Sequence, residues 1–341
     1  MNAQPILLIH GFNSGPEIWY DSGFAPALIA QGGLDEHLVR PFLYGQAPDG
    51  AYDNRGDVAI LAQRLAAAVG TVAADALAAG GPGQVTLIGH SLGGLIARYY
   101  LSCAAPDALG TCYAGDVARL ITLGTPHTGA PLSDTVDLLD QASWIWRLLG
   151  LVERLPFLQA RPASLVAQWQ EQLRWELALA REEAFGAAPA PPAMPLGPEG
   201  EMLAQATLQE SEALRQIQPD SEIIARINAP GAMPLAVAYH LIYGNVGLTV
   251  EAALRGRRLF HFDLSLGDGA VPAASASRLP NAPFTSYEVP FRKHLRLEIG
   301  QAPDPNVASG IGDLLPYALH TRLYADAEVQ AEVLRYLASA R

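Results

Sequence analysis

The first 130 residues alternate between short, mostly apolar runs and longer segments with helical spacing. The apolar runs span residues 5–9, 84–89 and 117–124, and such runs are typical of strands buried on both faces of a parallel sheet. The segments between them, at 58–79 and 92–102, have the periodicity of helices. Because parallel strands need crossover connections, the pattern predicts an α/β fold, a mostly parallel central sheet with helices on both faces.

The composition is that of a large globular chain. Half of its 341 residues are hydrophobic, and the formal net charge of −12 disfavours nucleic acid or an anionic membrane as an electrostatic partner. The N-terminus lacks the basic start and long apolar run of a signal peptide, which favours a cytoplasmic protein over a secreted one whose leader has been removed. We expect the two cysteines, Cys103 and Cys112, to be free thiols rather than a local disulfide.

The strand–helix alternation is interrupted in the middle of the chain. No strand-like run is visible in residues 133–230, which contain apolar and amphipathic helical segments and four of the five tryptophans. Strand signals return at 235–244 and 284–289. We therefore expect a sheet domain built from residues 1–132 and 231–341, with a helical cap or lid inserted at 133–230.

The most informative motif is GHSLG, with Ser91 at its centre, between a predicted strand and a predicted helix. A nucleophile exposed at the top of a strand needs a sharp, strained turn, and side chains at Gly89 and Gly93 would collide with the flanking elements. The helix that follows points its N-terminus at the site, which favours negative charge there. The context favours a nucleophile over a packing turn.

A serine nucleophile also needs hydrogen-bond donors for the oxyanion that forms when it attacks. The first expected donor is the main-chain N–H of Leu92, the residue after the nucleophile. The second is expected from the loop after the first strand, IHGFNSG, in which Phe12 is well placed to offer its N–H. His10 and Gly11 alternatively only shape that turn, and both interpretations are compatible.

The base must come from the eight histidines, and two of them fit that role best. His90 adjoins the serine on the turn, His10 and His127 are expected to shape the cleft, His240 and His261 lie in strand-like runs, and His37 is expected to be exposed. The first remaining candidate, His294, closely follows a predicted strand and has cationic neighbours that disfavour an imidazolium.

The second remaining candidate is His320, in a loop that enters the C-terminal helix. We favour it over His294 because the base of a Ser–acid–His series belongs in a late loop past the last strand. The acid should lie between the serine and the base, in a turn after a strand. Asp268, between two glycines, fits that requirement, and Asp263 in a strand-like run is the second choice. The role of this acid would be to fix the tautomer of the histidine.

The segments that carry these residues together resemble a known family. They are ILLIHGF, VTLIGHSLGGLIARYYL, VARLITLGTPHTGAPLSD, IYG, GDGAVPAASA and HTRLYADAEV, in this order. The chain resembles α/β-hydrolases of the lipase and esterase kind, nearest to the lecithin–cholesterol acyltransferase-like, PGAP1-like and bacterial triacylglycerol lipase-like group. The resemblance covers nearly the whole chain except residues 133–219, and it implies the α/β-hydrolase fold with a lid over the site.

The residues and the resemblance together predict a serine carboxylic-ester hydrolase, an esterase or lipase for hydrophobic acyl esters. Ser91 attacks the acyl carbon, His320 relays the proton, Asp268 orients His320, and the N–H groups of Phe12 and Leu92 hold the oxyanion. The expected partner is a small-molecule or lipid ester, with transient contact between the cap and a lipid interface. No obligate protein partner is implied.

Rival functions use the same residues. An acyltransferase replaces water with an alcohol, a thioesterase or amidase uses identical machinery, and a non-catalytic fold-mate binds in the cleft instead. No cofactor is expected. Some relatives of the resembling family bind calcium near the histidine loop. The acidic residues Asp313 and Asp326 lie near that loop here but form no convincing ligand cluster, so no metal is predicted.

Overall fold

The computed structural model describes residues 4–12, 14–45, 53–130, 211–254, 257–265, 267–268, 270–298 and 320–339. The cap predicted at residues 133–230 lies outside the described residues as far as residue 210. The elements of the described chain are, in order, β1 (Ile6–Ile9), α1 (Ile18–Asp21), α2 (Phe24–Gly32), a 3-10 helix (Glu36–Leu38), β2 (Val39–Pro41), α3 (Val58–Ala78), β3 (Val85–His90), α4 (Leu92–Leu101), β4 (Val117–Leu123), α5 (Glu212–Gln216), α6 (Glu222–Ile227), β5 (Ala238–Leu254), β6 (Arg257–Ser265), α7 (Ala273–Ala276), β7 (Thr285–Glu298) and α8 (Ala327–Ala338).

The described strands form one mostly parallel sheet. Its order is β2-β1-β3-β4-β5-β7, and every neighbouring pair in that series is parallel. The exception is β6, which pairs antiparallel with the second half of β5, from Gly247 onward. It occupies the side of β5 that β4 has vacated, since the pairing of β4 with β5 ends at Ile242. The predicted α/β architecture is confirmed.

The alternating side chains of β1 explain why helices cover both faces of the sheet. Leu7 and Ile9 belong to the apolar core on one face, together with residues of α3 and α4. Ile6 and Leu8 belong to the core on the other face, together with residues of α2 and α8. All four side chains are buried, so the run is apolar throughout instead of alternating with polar residues.

Helix α3 is the longest described helix, and it is long and apolar enough to cross a membrane by length and composition alone. Its residues Val58, Leu61, Leu65 and Val69 recur at helical spacing and are all buried in the core. A helix in the core of a globular protein has the same length and composition. The contacts of α3 with α4 identify α3 as a core helix.

The last twenty residues of the predicted cap, 211–230, contain helices α5 and α6. Ala213 and Leu214 of α5, with Ile224 and Ile227 of α6, lie in the same core cluster as α3 and α4. These two helices therefore bring the chain back onto the face of the sheet that α3 and α4 cover, before β5 begins.

Two strands run farther than their sequence signals predict. The pairing of β5 with β7 continues to Ala253 and Glu298, well past the predicted ends at residues 244 and 289. His294 therefore lies within β7, in register with Thr249, instead of in a loop after a strand. The continuation across Pro290 is possible because, in the described part of the chain, β7 pairs on one side only.

The two cysteines are free thiols, as predicted, with Cys103 buried and Cys112 exposed.

Candidate active site

Ser91 is the single residue between β3 and α4, and its backbone is strained. It has φ 53° and ψ −123°, a conformation that non-glycine residues rarely adopt. The turn is fixed from both sides, because Ser91 N donates to Leu123 O at 2.9 Å and its carbonyl accepts from Thr125 Oγ1 at 3.0 Å. Such strain, held by neighbouring bonds, is what a strand-to-helix nucleophile turn requires.

The two glycines of the motif are required by close backbone contacts. A β-carbon at Gly89 would lie 2.6 Å from the main-chain nitrogen of Gly94, and one at Gly93 would lie 2.7 Å from the carbonyl oxygen of His10. Real β-carbons essentially never approach backbone that closely. The helix can start directly behind the serine only because these positions carry no side chain.

The loop after β1 lies against the serine. A β-carbon at Gly11 would be 2.9 Å from the β-carbon of Ser91. Phe12, the next residue, is half-buried and packs on the same core as Leu92, which begins α4 and is itself buried. Both residues expected to supply oxyanion donors thus lie on segments that adjoin Ser91.

Asp268 and His320 meet in a hydrogen bond although 52 residues separate them. His320 Nδ1 and Asp268 Oδ2 are 2.7 Å apart. Since a carboxylate can only accept, Nδ1 carries the hydrogen and Nε2 is left with a free lone pair. The other carboxylate oxygen accepts from the main-chain nitrogens of Ala270 at 3.0 Å and Val271 at 2.8 Å. Asp268 is fully buried, so its orientation is fixed by these bonds.

The detour of the chain through β6 explains how Asp268 reaches this position. After β6 the chain returns to the middle of β5, where Val246 N donates to Gly267 O at 2.6 Å. Gly267 has φ 75°, a left-handed conformation that suits a glycine ahead of the acid. The turn is therefore anchored at the point where the core part of β5 ends.

Comparison with known proteins finds similar sequences around the Ser91 turn. The PGAP1-like alpha/beta domain family matches residues 68–153, which include Ser91 and the strands on both sides of it. Triacylglycerol lipases from Pseudarthrobacter phenanthrenivorans and Burkholderia plantarii are each 33% identical over 141 residues, or 39% of this chain and 36% and 32% of theirs. The chain has the α/β-hydrolase fold, and its sequence is similar to that of PGAP1-like domains and triacylglycerol lipases.

This α/β-hydrolase spans about a third of the length of the curated lipases that it matches. Among solved structures, phospholipase PlaB from Legionella pneumophila aligns over 99% of this chain and 60% of its own, at 14% identity and a TM-score of 0.45. The resemblance predicted from the motifs, to PGAP1-like and triacylglycerol lipase-like α/β-hydrolases, is confirmed by the family and lipase matches.

His90 connects the nucleophile turn of this α/β-hydrolase to the histidine loop. Its Nε2 donates to the carbonyl oxygen of His320 at 3.1 Å, and the two imidazole rings are 4.7 Å apart. The ring of Tyr324 packs edge-on against His90 at 5.0 Å. Burial lowers the pKa of His90 well below its ordinary value, so the ring stays neutral and keeps Nε2 as its donor. The sequence suggested no such contact.

Gly124, directly after β4, is a second residue that sequence reasoning missed. A β-carbon there would lie 2.6 Å from Asp268 Oδ2 and 3.1 Å from His320 Nδ1, inside the Asp–His contact. The available signal was a glycine just after a buried strand, at the carboxyl edge where α/β sheets carry their sites. Gly124 also brings the pair close to the serine, since Ser91 N donates to the neighbouring carbonyl of Leu123.

We therefore expect Gly124→Ala to lower ester turnover by about 10²-fold, the order of loss produced by a displacement of about 1 Å in a catalytic group. Gly110→Ala is the matched control. Gly110 also has a positive φ, 79°, but a β-carbon there meets nothing within 4 Å. Turnover and thermal unfolding of both variants check the prediction. Equal turnover of the two variants would show that the Asp–His contact is not what Gly124 protects.

Three further histidines, His10, His127 and His240, have structural partners. Tyr44 donates to the carbonyl of His10 at 2.7 Å, and His127 Nε2 lies 3.0 Å from Thr122 Oγ1. His240 Nε2 lies 2.8 Å from Glu332 Oε1. These contacts agree with the expected structural roles.

The other residues weighed from the sequence are placed as follows. His37 is exposed in the 3-10 helix, and His261 and Asp263 lie within β6. Of the acidic residues considered for calcium, Asp326 caps α8 by accepting from the main-chain nitrogens of Glu328 and Val329, and Asp313 lies outside the described residues.

Proposed function

We propose that this α/β-hydrolase is a serine carboxylic-ester hydrolase that acts on hydrophobic acyl esters through an acyl-enzyme. The observation that carries the proposal is the buried Asp268–His320 hydrogen bond beside the strained Ser91 turn. His320 is linked to this turn in two ways. Its carbonyl accepts from His90, which precedes Ser91, and its ring lies against Gly124, whose neighbour Leu123 accepts from Ser91 N.

In the acylation step, Ser91 Oγ attacks the carbonyl carbon of the ester while its proton passes to His320 Nε2. The carbonyl oxygen becomes an oxyanion held by the N–H groups of Phe12 and Leu92. The bond to the alcohol oxygen then breaks, and His320 gives the proton to that oxygen. Asp268 accepts from Nδ1 throughout, which stabilises the imidazolium between the two transfers.

In the deacylation step, water repeats the sequence. His320 Nε2 takes a proton from water, and the resulting hydroxide attacks the acyl carbon. The second tetrahedral intermediate collapses with departure of Ser91 Oγ, which recovers its proton from His320. The products are a carboxylic acid and an alcohol, and the enzyme returns to its initial state.

The proposed substrate class rests on composition and relatives. The matched proteins from two organisms are triacylglycerol lipases. The predicted cap is rich in tryptophan and leucine, which suits an apolar acyl chain presented in a lipid phase. We propose a hydrophobic carboxylic ester as the substrate, handled without a cofactor and without an obligate protein partner.

Covalent labelling of Ser91 tests the chemistry. A fluorophosphonate should form one adduct per chain, located at Ser91 by peptide mass spectrometry, because the reagent captures an activated serine. Ser91→Ala should remove both the adduct and hydrolysis of p-nitrophenyl butyrate. An unlabelled native chain, or an adduct that persists in Ser91→Ala, would contradict the proposal and favour a non-catalytic binding protein.

A series of p-nitrophenyl esters from acetyl to palmitoyl, with and without detergent, tests the substrate class. We expect kcat/KM to rise with acyl length, since each buried methylene contributes about 0.8 kcal/mol. A preference confined to acetyl esters would leave a plain esterase. Product analysis with an added alcohol separates hydrolysis from acyl transfer, and thioester and amide analogues test the remaining alternatives.

A further inference from the structure

Two side chains donate hydrogen bonds to the carbonyl oxygen of the peptide between Gly11 and Phe12. Asn54 Nδ2 donates to Gly11 O at 2.7 Å, and Ser14 Oγ donates to the same oxygen at 2.9 Å. The Asn54 amide also donates to the carbonyl of Ser14 at 2.8 Å, so it bridges both ends of the loop that contains Phe12. Asn54 is 1% exposed, which leaves its amide little freedom to move.

These two hydrogen bonds determine where the N–H of Phe12 points. The carbonyl of Gly11 and the N–H of Phe12 belong to one planar peptide unit and, in a trans peptide, point in opposite directions. No cis peptide occurs in the described chain. Two donors that hold the Gly11 oxygen therefore also hold the Phe12 N–H, and a rotation of this peptide that removed the N–H from the site would break both bonds.

The Gly11–Phe12 peptide lies where an oxyanion donor is needed. Gly11 approaches Ser91 so closely that a β-carbon on it would be 2.9 Å from the serine β-carbon. The preceding peptide is held separately, since Tyr44 donates to the carbonyl of His10. Hydrogen bonds to a peptide oxygen also polarise the unit and strengthen its N–H as a donor.

We infer that Asn54 is a positioning residue for the oxyanion hole, acting through the Gly11 carbonyl on the Phe12 N–H. The inference rests on the proposed ester hydrolysis. Asn54 touches no reacting atom; it keeps the donor peptide aligned before substrate arrives, so that no reorientation is needed when charge develops. Ser14 supports the same oxygen from within the loop.

The test compares Asn54→Ala with the native chain on p-nitrophenyl butyrate. We expect kcat to fall roughly 10- to 100-fold with little change in KM, less than the ~10²- to 10³-fold that loss of a whole oxyanion donor costs. Affinity for a trifluoromethyl ketone, which forms an oxyanion on the serine, should fall by a similar factor, while affinity for the corresponding methyl ketone should change little. Ser14→Ala, a milder change to the same oxygen, should move kcat in the same direction.

Tyr100→Phe is the matched control for lost stability, because Tyr100 is buried and donates to Asp116 at 2.6 Å at the far end of α4. It should lower the unfolding temperature without changing the ratio of the two ketone affinities. An unchanged kcat in Asn54→Ala, or equal losses of affinity for both ketones, would overturn the inference. If Ser91 is still labelled in that case, the proposed hydrolase function stands. A native chain without labelling or turnover would instead overturn the proposed function, and this inference with it.

Discussion

Replacing His320 with alanine is expected to lower kcat for p-nitrophenyl ester hydrolysis by about 10⁴-fold or more, the scale seen when the base of a serine triad is removed. The reason is geometric. Asp268 Oδ2 is bonded to His320 Nδ1 at 2.7 Å, and its other oxygen is occupied by two main-chain N–H groups. The carboxylate therefore has one imidazole to orient, and the variant leaves Ser91 without a base.

His294→Ala is the matched control, because His294 is the second candidate base predicted from the sequence. Its backbone is held within β7 by the pairing with Thr249. We expect most of the turnover to remain. Rates of both purified variants across pH 6 to 9, with circular dichroism to verify folding, make the comparison. If His294→Ala lost activity and His320→Ala kept it, the proposed mechanism would have the wrong residue as its base.

The part of the fold that could be predicted is the part whose signal is local. Strands β1, β3 and β4 are largely buried on both faces, so each is a mostly apolar run that stands out in the sequence. Helices α3 and α4 between them have apolar residues at helical spacing. Short elements carry too few residues for any periodicity, and β2, three residues long, was missed for that reason.

The misjudged part is the extension of β5 and β7. Pro290 lacks an N–H, and a proline normally marks the end of a strand. Here it lies opposite Asn245 on a strand with one described partner, so no ladder bond is needed on its other side. Whether a proline ends a strand depends on the neighbours of that strand, which local sequence does not show.

The candidate site divides in the same way. Ser91 was visible because its glycines are needed within five residues of chain. Asp268 and His320 could be predicted only from the chain order of a resembling family, since their contact joins distant segments. Asn54 carries no local signal, because its donors act on a loop about 40 residues earlier in the chain. Supporting residues of this kind become visible only in the folded chain.

Mild acid is expected to destabilise this protein strongly between pH 6.5 and 4, because several histidines are buried in their neutral form. Burial lowers the pKa of His10 to about 4, and it lowers the pKa of His90 and His127 well below the ordinary value. The charge of Arg98 beside His127 acts in the same direction. In the unfolded chain these imidazoles regain their ordinary pKa, near 6.5.

The sign follows from proton uptake. Below pH 6.5 the unfolded chain binds protons that the folded chain does not, so the free energy of unfolding falls as pH falls toward the folded pKa. For His10, a change from 6.5 to about 4 corresponds to about 3 kcal/mol lost by pH 4. The lowered pKa values of His90 and His127 act in the same direction and add to this loss.

Urea unfolding followed by circular dichroism at pH 8, 7, 6 and 5 measures this dependence above the range in which most carboxylates titrate. His90→Gln should reduce the slope of unfolding free energy against pH by up to about 1.4 kcal/mol per pH unit, since glutamine cannot bind the proton but can still donate to His320 O. His37→Gln, at an exposed position, is the matched control and should leave the slope unchanged. A free energy of unfolding of the native protein that stays constant from pH 7 to pH 5, or equal slopes in the native and His90→Gln proteins, would contradict the prediction. It would mean that burial does not lower the pKa of these imidazoles in the folded chain.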